Sequence, residues 1–229
     1  MDLTRIIIVY LTQGSIVAVF AALIYKILQR ERDRENLSFS GFYISLFLGF
    51  TLNFIYAPLT NQEAVQILNA FTNFFVFFGM IFLVVLNLIL LKSKEVITLR
   101  IELFLIGLYG ILLALMNVIP NGVSIGPQTG WKPVWSFEFF LYNFIVVTLI
   151  AIIPILVTSI MLYKRFEDKN LRRKWALFMV GIVGVFFIMY GTMISNTLND
   201  PGFRTLWSFL SFTTLLWVYL IYYSVGKRD

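Results

Sequence analysis

The chain has 229 residues, 59% of them hydrophobic and only 13% charged, against roughly 45–50% and about 25% in ordinary soluble domains. A soluble fold of this length could not hide so much apolar surface, so lipid is expected to be the solvent for most of it. With no Cys and no His, disulfides, thiolate nucleophiles, iron–sulfur ligation, imidazole metal sites, Ser–His and Cys–His triads and a phosphohistidine relay are excluded. The net charge of +6 reads as loop charge that orients a membrane protein, not as a nucleic-acid surface.

Seven apolar segments follow one another, at about 4–29, 38–59, 64–91, 100–119, 137–163, 173–197 and 204–226. Each can cross roughly 30 Å of hydrocarbon as a helix. The first segment is too long for a secretory leader and lacks a small-residue cleavage pattern, so it reads as a retained helix. Arg30 to Glu35 alternates in sign, which suits a solvated extension of the first helix. Thr60 and Glu63 have capping-box spacing at the head of the third. The one long loop, about 120–136, opens with Pro120-Asn121-Gly122, is interrupted by Gly126-Pro127 and ends in Trp131-Lys132-Pro133-Val134-Trp135. Its two tryptophans suit either headgroup anchors or the rim of a pocket. Pro154 lies inside the fifth segment, where it removes a helix hydrogen bond and predicts a kink. Asn199-Asp200-Pro201-Gly202 is a turn before the seventh.

Orientation follows from the short loops. Lys26, Arg30, Arg32, Arg34, Lys92, Lys94, Arg100, Lys164, Arg165, Lys169, Arg172, Arg173, Lys174, Lys227 and Arg228 fall on one side; Arg5, Lys132 and Arg204 fall on the other. The positive-inside rule then places the N-terminus outside and the C-terminus in the cytoplasm. The expected fold is an all-α membrane protein, a single bundle of seven transmembrane helices over residues 1–229, multi-pass in a cell membrane. No soluble module is expected at either end.

No acid or base sits at mid-depth in these segments, which argues against proton pumping. The last segment has no Lys before Lys227, which argues against a retinal protein, and the Asp-Arg-Tyr and Asn-Pro-x-x-Tyr patterns of rhodopsin-like receptors are absent. The neutral polar residues are more informative. Asn73, Met80 and Asn87 recur at steps of seven, with Asn69 one turn before, so they share a helix face. Small or polar stripes run through Gly41, Ser45, Gly49 and Asn53, through Gly107, Gly110, Ala114 and Asn117, and through Gly184, Gly191 and Ser195. Such stripes let helices pack closely and hydrogen-bond across their interface.

Depth adds a second pattern. Asn53, Asn69, Asn73, Asn117, Asn143, Asn196, Ser208 and Ser211 all fall in the outer half, and Asn87 near the inner side. With Trp135 they outline an outward-facing pocket with aromatic walls, whose neutral amides suit an uncharged or zwitterionic small ligand; interhelical hydrogen bonding is the competing explanation of the same residues. No cofactor, metal ligand or catalytic group is expected, and the chain does not read as an enzyme. Lys164, Arg165, Lys169, Arg172, Arg173 and Lys174 form a dense inner cluster, suited to anionic lipid or to a cytoplasmic signalling protein. A small-residue face could also serve a homodimer.

The segment Trp131-Lys132-Pro133-Val134-Trp135-Ser136, the basic Arg172-Arg173-Lys174 and the closing Tyr222-Tyr223 resemble the seven-helix N-terminal sensor regions of prokaryotic membrane histidine kinases, over about the last 100 residues. The resemblance implies sensing within the membrane and relay to a kinase domain. The chain ends three residues after Gly226, so relay to a separate partner is the expectation. A small-molecule transporter of the SWEET type, with 3+1+3 helices, is the alternative. Helices 1–3 and 5–7 show no convincing repeat, however, and the inner half is poor in polar residues. A non-catalytic subunit of a membrane complex is a further alternative.

Overall fold

The computed structural model describes residues 8–30 and 33–226. Arg5, Arg32, Lys227 and Arg228 lie outside the described residues. Seven helical rods follow the expected segments. α1 is Gly14–Leu28, preceded by a π turn at Ile8–Gln13. α2 is Arg34–Tyr56 and α3 is Gln62–Lys92. α4 is Leu99–Ala114, continued by a 3-10 turn at Leu115–Val118. α5 runs Phe137–Arg165, α6 Lys169–Leu198, and α7 Pro201–Val225 with a 3-10 break at Ser211–Thr213. Among the described residues six helices, α2 to α7, are long and apolar enough to cross a membrane; the α-helical part of α1 has 15 residues.

The helix starts show why the boundaries fall where they do. The side chains of Asp33, Asn61, Ser136, Asp168 and Asp200 each accept a backbone N–H of the first turn of α2, α3, α5, α6 and α7, relieving donors that have no partner within the helix. Two expectations are corrected by these caps. Asn61, not Thr60, caps α3, because its carbonyl oxygen reaches Ala64 N at 3.0 Å. Arg34 and Glu35 do not extend α1: Asp33 takes Asn36 N at 2.8 Å and starts a new helix there.

The main neighbour relations close into a ring, α1–α2–α3–α5–α6–α7 and back to α1, with α2·α3 and α6·α7 the tightest pairs. α4 lies outside the ring, packed on α3 and more lightly on α5. Its expected small-residue stripe is therefore not a packed seam within this chain. A Cβ on Gly107 would meet nothing within 4 Å, Ala114 and Asn117 are exposed, and Gly110 alone faces a neighbour, Phe78. The stripe on α6 behaves as expected. A Cβ on Gly184 would come within 2.2 Å of the Trp217 ring, and one on Gly191 within 1.8 Å of Trp207, so α7 can lay two indoles flat against α6 only because these positions lack side chains.

Pro154 is accommodated by a π turn at Thr148–Ile152 immediately before it, a local widening that absorbs the missing N–H donor. The loop between α4 and α5 is more ordered than its composition suggests. Val123–Ser124 (β1) pairs antiparallel with Val134–Trp135 (β2), and Gly130 and Trp131 adopt left-handed φ of 58° and 60° at the tip. Ile125 and Trp131 then pack on Tyr56, Val65 and Leu68, so the hairpin folds down onto α2 and α3.

The two ends of the bundle differ. At the end carrying the 93–98 and 166–168 connections, here the basic end, Arg34 donates from Nε to Glu102 Oε1 at 3.0 Å, from Nη1 to the Lys94 carbonyl and from Nη2 to the Ile97 carbonyl. Glu102 is buried beneath this pair. Lys94 pairs with Glu35 at 2.6 Å. Further in, Asn87 donates to Thr158 Oγ1, Ser159 Oγ and the Ile155 carbonyl, joining α3 to α5, and Trp175 Nε1 donates to the Ser159 carbonyl to bring in α6. A dense aromatic cluster of Phe20, Phe39, Phe42 and Tyr43 fills the ring above.

Candidate functional site

At the opposite, hairpin end the ring does not close on itself. A cavity of about 500 Å³ opens there, lined by α1, α2, α3, α6, α7 and the hairpin. That size lies within the roughly 300–1,000 Å³ of small-molecule sites. α4 and α5 contribute nothing to it.

The α3 wall carries a polar ladder. Asn73 Nδ2 donates to Asn69 Oδ1 at 3.0 Å, and Asn69 Nδ2 donates to the Tyr56 hydroxyl at 2.8 Å. The one-turn spacing of the two asparagines places them one above the other. Asn53 lies on the facing wall of α2. Gly49 brings α2 and α3 together below it: a Cβ there would stand 2.7 Å from Val76 Cγ2.

The α6 and α7 walls supply Thr192, Ser195, Asn196, Arg204, Ser208 and Ser211. Ser208 and Ser211 donate to carbonyls of their own helix, Arg204 and Ser208 respectively, which leaves their oxygens as acceptors toward the space. Trp207 donates to Thr192 Oγ1 at 3.0 Å and lies on Gly191. The hairpin forms the rim. Trp131, Lys132 and Pro133 line it, and Arg204 Nη2 donates to the Pro133 carbonyl at 2.5 Å, fastening the hairpin to the start of α7. Trp135 reaches inward, is 4% exposed and meets Phe77 and Phe139 edge-on; it is a wall residue, not a headgroup anchor.

Downward the lining is mainly apolar, with Leu46, Phe50, Met80, Val185, Met189 and Val218 and the one hydroxyl side chain of Thr214. Tyr43, whose hydroxyl donates to the Val218 carbonyl at 2.8 Å, and the aromatic cluster around it lie beneath. The lining reaches Met80, about midway along α3, and Val218, in the second half of α7.

Seven of the nine residues singled out in sequence, Asn53, Asn69, Asn73, Asn196, Ser208, Ser211 and Trp135, line this one cavity. Two do not. Asn117 is exposed on α4 and donates to the Ala114 carbonyl. Asn143 is fully buried in α5, its amide turned onto the Phe139 carbonyl of its own helix. Both are at the right depth but on helices that do not face the space.

Sequence reasoning missed Gln13, Tyr56, Thr72 and Thr192, which look like ordinary membrane-helix residues. It used Arg204 only as a vote on orientation. A cation within an apolar helix, one turn before Ser208, was the available signal. Four buried polar atoms on lining residues have no hydrogen-bond partner among the described residues: Gln13 Oε1, Thr72 Oγ1, Trp135 Nε1 and Arg204 Nε. Buried polar groups are nearly always satisfied, yet Thr51 Oγ1, Asn87 Oδ1 and Asn143 Oδ1, away from the cavity, are unmatched among the described residues as well, so what distinguishes the cavity is its polar lining and its volume.

At the basic end, Lys164, Arg165, Lys169, Arg172 and Arg173 are exposed and Lys174 is half-buried. Arg165 donates to the Leu91 carbonyl, and Arg172 lies 4.6 Å over the Tyr163 ring.

No family model matches the chain, and no curated protein matches it. Length, composition and helix packing define it as an all-helical, multi-pass membrane protein.

Proposed function

We propose that this protein is a seven-span membrane receptor or sensor with its N-terminus outside, which takes a small ligand into the hairpin-end cavity and relays occupancy to a separate cytoplasmic partner. The observation that carries the reading is the cavity itself, polar at the rim, apolar at the floor and backed by packed aromatic residues. A transporter needs a route past that floor; a receptor does not. Counting α1 with its preceding π turn, Ile8 to Leu28 spans about 30 Å at 1.5 Å per residue, which supports a seventh crossing. The basic residues gathered at the opposite end support that end as cytoplasmic, with Lys164, Lys169 and Arg173 exposed there for a partner. The likeness to histidine-kinase sensor regions points the same way. Binding must then favour one of two bundle states over the other.

The absence of cysteine makes the test direct. Single cysteines at Asn73 and Asn196, treated with a membrane-impermeant maleimide, are expected to label from outside only. Labelling from both sides would replace the receptor with a transporter, and labelling from neither would remove the pocket.

A further inference from the structure

Composition suggested an uncharged or zwitterionic ligand, but the lining has a net sign. Its charged residues are Arg204 and Lys132, and no Asp or Glu lines the cavity. Asp200, one turn before Arg204, is used as the cap of α7, where it accepts Phe203 N at 2.7 Å, and no ion pair joins it to Arg204 among the described residues. The Arg204 guanidinium is half-buried and held in place by its bond to the Pro133 carbonyl, with Nε unpartnered. A second unpartnered donor, the indole N–H of Trp135, belongs to a side chain more than nine-tenths buried on the same lining. A guanidinium taken out of water with no counter-ion is costly, and it matches a planar two-oxygen anion with bidentate geometry. Below these donors lie Leu46, Met80, Met189 and Val218, which offer only apolar contact; methionines shape themselves to flexible apolar bodies.

We propose that the cavity binds an amphipathic organic anion, a carboxylate or comparable oxyanion on an apolar body, with the anion on Arg204 beneath the hairpin and the body toward Met80 and Val218. Lys132 at the rim adds attraction for the incoming anion. Burial of the body supplies most of the affinity, and the Arg204 contact supplies the discrimination, because only an anionic two-oxygen head neutralises the half-buried guanidinium and matches its fork.

This inference rests on the ligand-pocket reading above, and the experiment separates the two. The full chain in phosphatidylcholine nanodiscs is titrated with octanoate, octan-1-ol and octylammonium, with empty nanodiscs subtracted and tryptophan fluorescence as the readout. Octanoate is expected to bind at least tenfold tighter than octan-1-ol, and octylammonium weakest. Arg204→Gln is expected to weaken octanoate at least tenfold more than octan-1-ol and so erase the preference, and Met80→Trp to weaken both by filling the floor. Should Arg204→Gln fail to fold because the hairpin is released, the head-group series on the unaltered protein still decides. Equal binding of octanoate and octan-1-ol would overturn the anion assignment and leave the pocket standing. Saturable binding of none of the three would overturn both. Adding phosphatidylglycerol to the nanodiscs identifies the source of the anion: competition with octanoate assigns it to a membrane lipid, and unchanged octanoate affinity to a free amphiphile.

Discussion

Arg34 and Arg204 are both half-buried arginines near helix starts, and the structure treats them in opposite ways. Arg34 is matched by the Glu102 carboxylate and two backbone carbonyls. Arg204 has one carbonyl, an idle Nε and no carboxylate. The two ends differ in packing as well. At the basic end the Asn87 amide nitrogen, Thr158, Ser159 and Trp175 join three helices, with Asn87 Oδ1 left unmatched; at the hairpin end Thr72, Trp135 and Gln13 belong to the lining of a cavity and each carries a buried atom without a partner among the described residues. Polar groups in a membrane bundle can fasten helices or can wait for a ligand. Their residue types do not tell which; their partners do.

The comparison can be broken by mutation. Arg34→Ala leaves Glu102 buried without its cation and should cost about 3 kcal/mol, read as a lowered unfolding midpoint in detergent; an Arg34→Met/Glu102→Met double variant should recover most of that loss. An unchanged midpoint in Arg34→Ala would remove the distinction between the ends. Asn87→Ala should cost about 2 kcal/mol, from interhelical hydrogen bonds worth roughly 0.6–1.7 kcal/mol each in membranes plus the packing of a fully buried side chain. Thr72→Val is isosteric and removes a hydroxyl with no partner among the described residues, so stability should stay within about 0.5 kcal/mol of the parent or rise; a clear loss would mean that Thr72 is a fastener after all.

The smallest effect concerns pH. Lys94 lies outside the membrane-spanning helices, and the hydrogen bond from its ammonium to Glu35 raises its pKa above the ordinary value. The contact therefore contributes fully below the unfolded lysine value of roughly 10.4 and is lost as pH rises through the higher folded value. The difference in midpoint between the parent and Lys94→Gln should stay flat from about pH 6 to 9 and vanish only above that range.

Much of the architecture was legible because hydropathy is a one-dimensional property. The segments for α3 and α6 match to within a few residues, since lipid imposes length and capping groups such as Asn61 and Asp168 mark the starts. Depth was legible too, and depth alone gathered Asn53, Asn69, Asn73 and Asn196 with Ser208 and Ser211. The direction in which each helix faces was not. Asn117 and Asn143 failed because α4 lies outside the ring and the cavity lining excludes α5, and neither fact has a local signature. The hairpin was hidden by its brevity: two residues in each strand carry no readable alternation, and the left-handed Trp131 breaks the usual preference for glycine at such a position. Arg204 was misjudged because a charge near a helix end has an adequate explanation in orientation, whereas its unused donor appears only once its neighbours are placed.

The ring closes through α7 against α1, and α7 follows the other six helices along the chain. A chain is synthesised from its N-terminus, so the polar ladder of Tyr56, Asn69 and Asn73 stands in the bilayer before the wall that faces it exists. In the folded chain Asn73 donates to Asn69 and Asn69 to Tyr56, all within α2 and α3, so these bonds require nothing from α7. A ladder whose bonds stay within α2 and α3 costs the bilayer less before α7 is made than unpaired amides would, and Arg204, Trp207 and Ser208 on α7 then complete the enclosure.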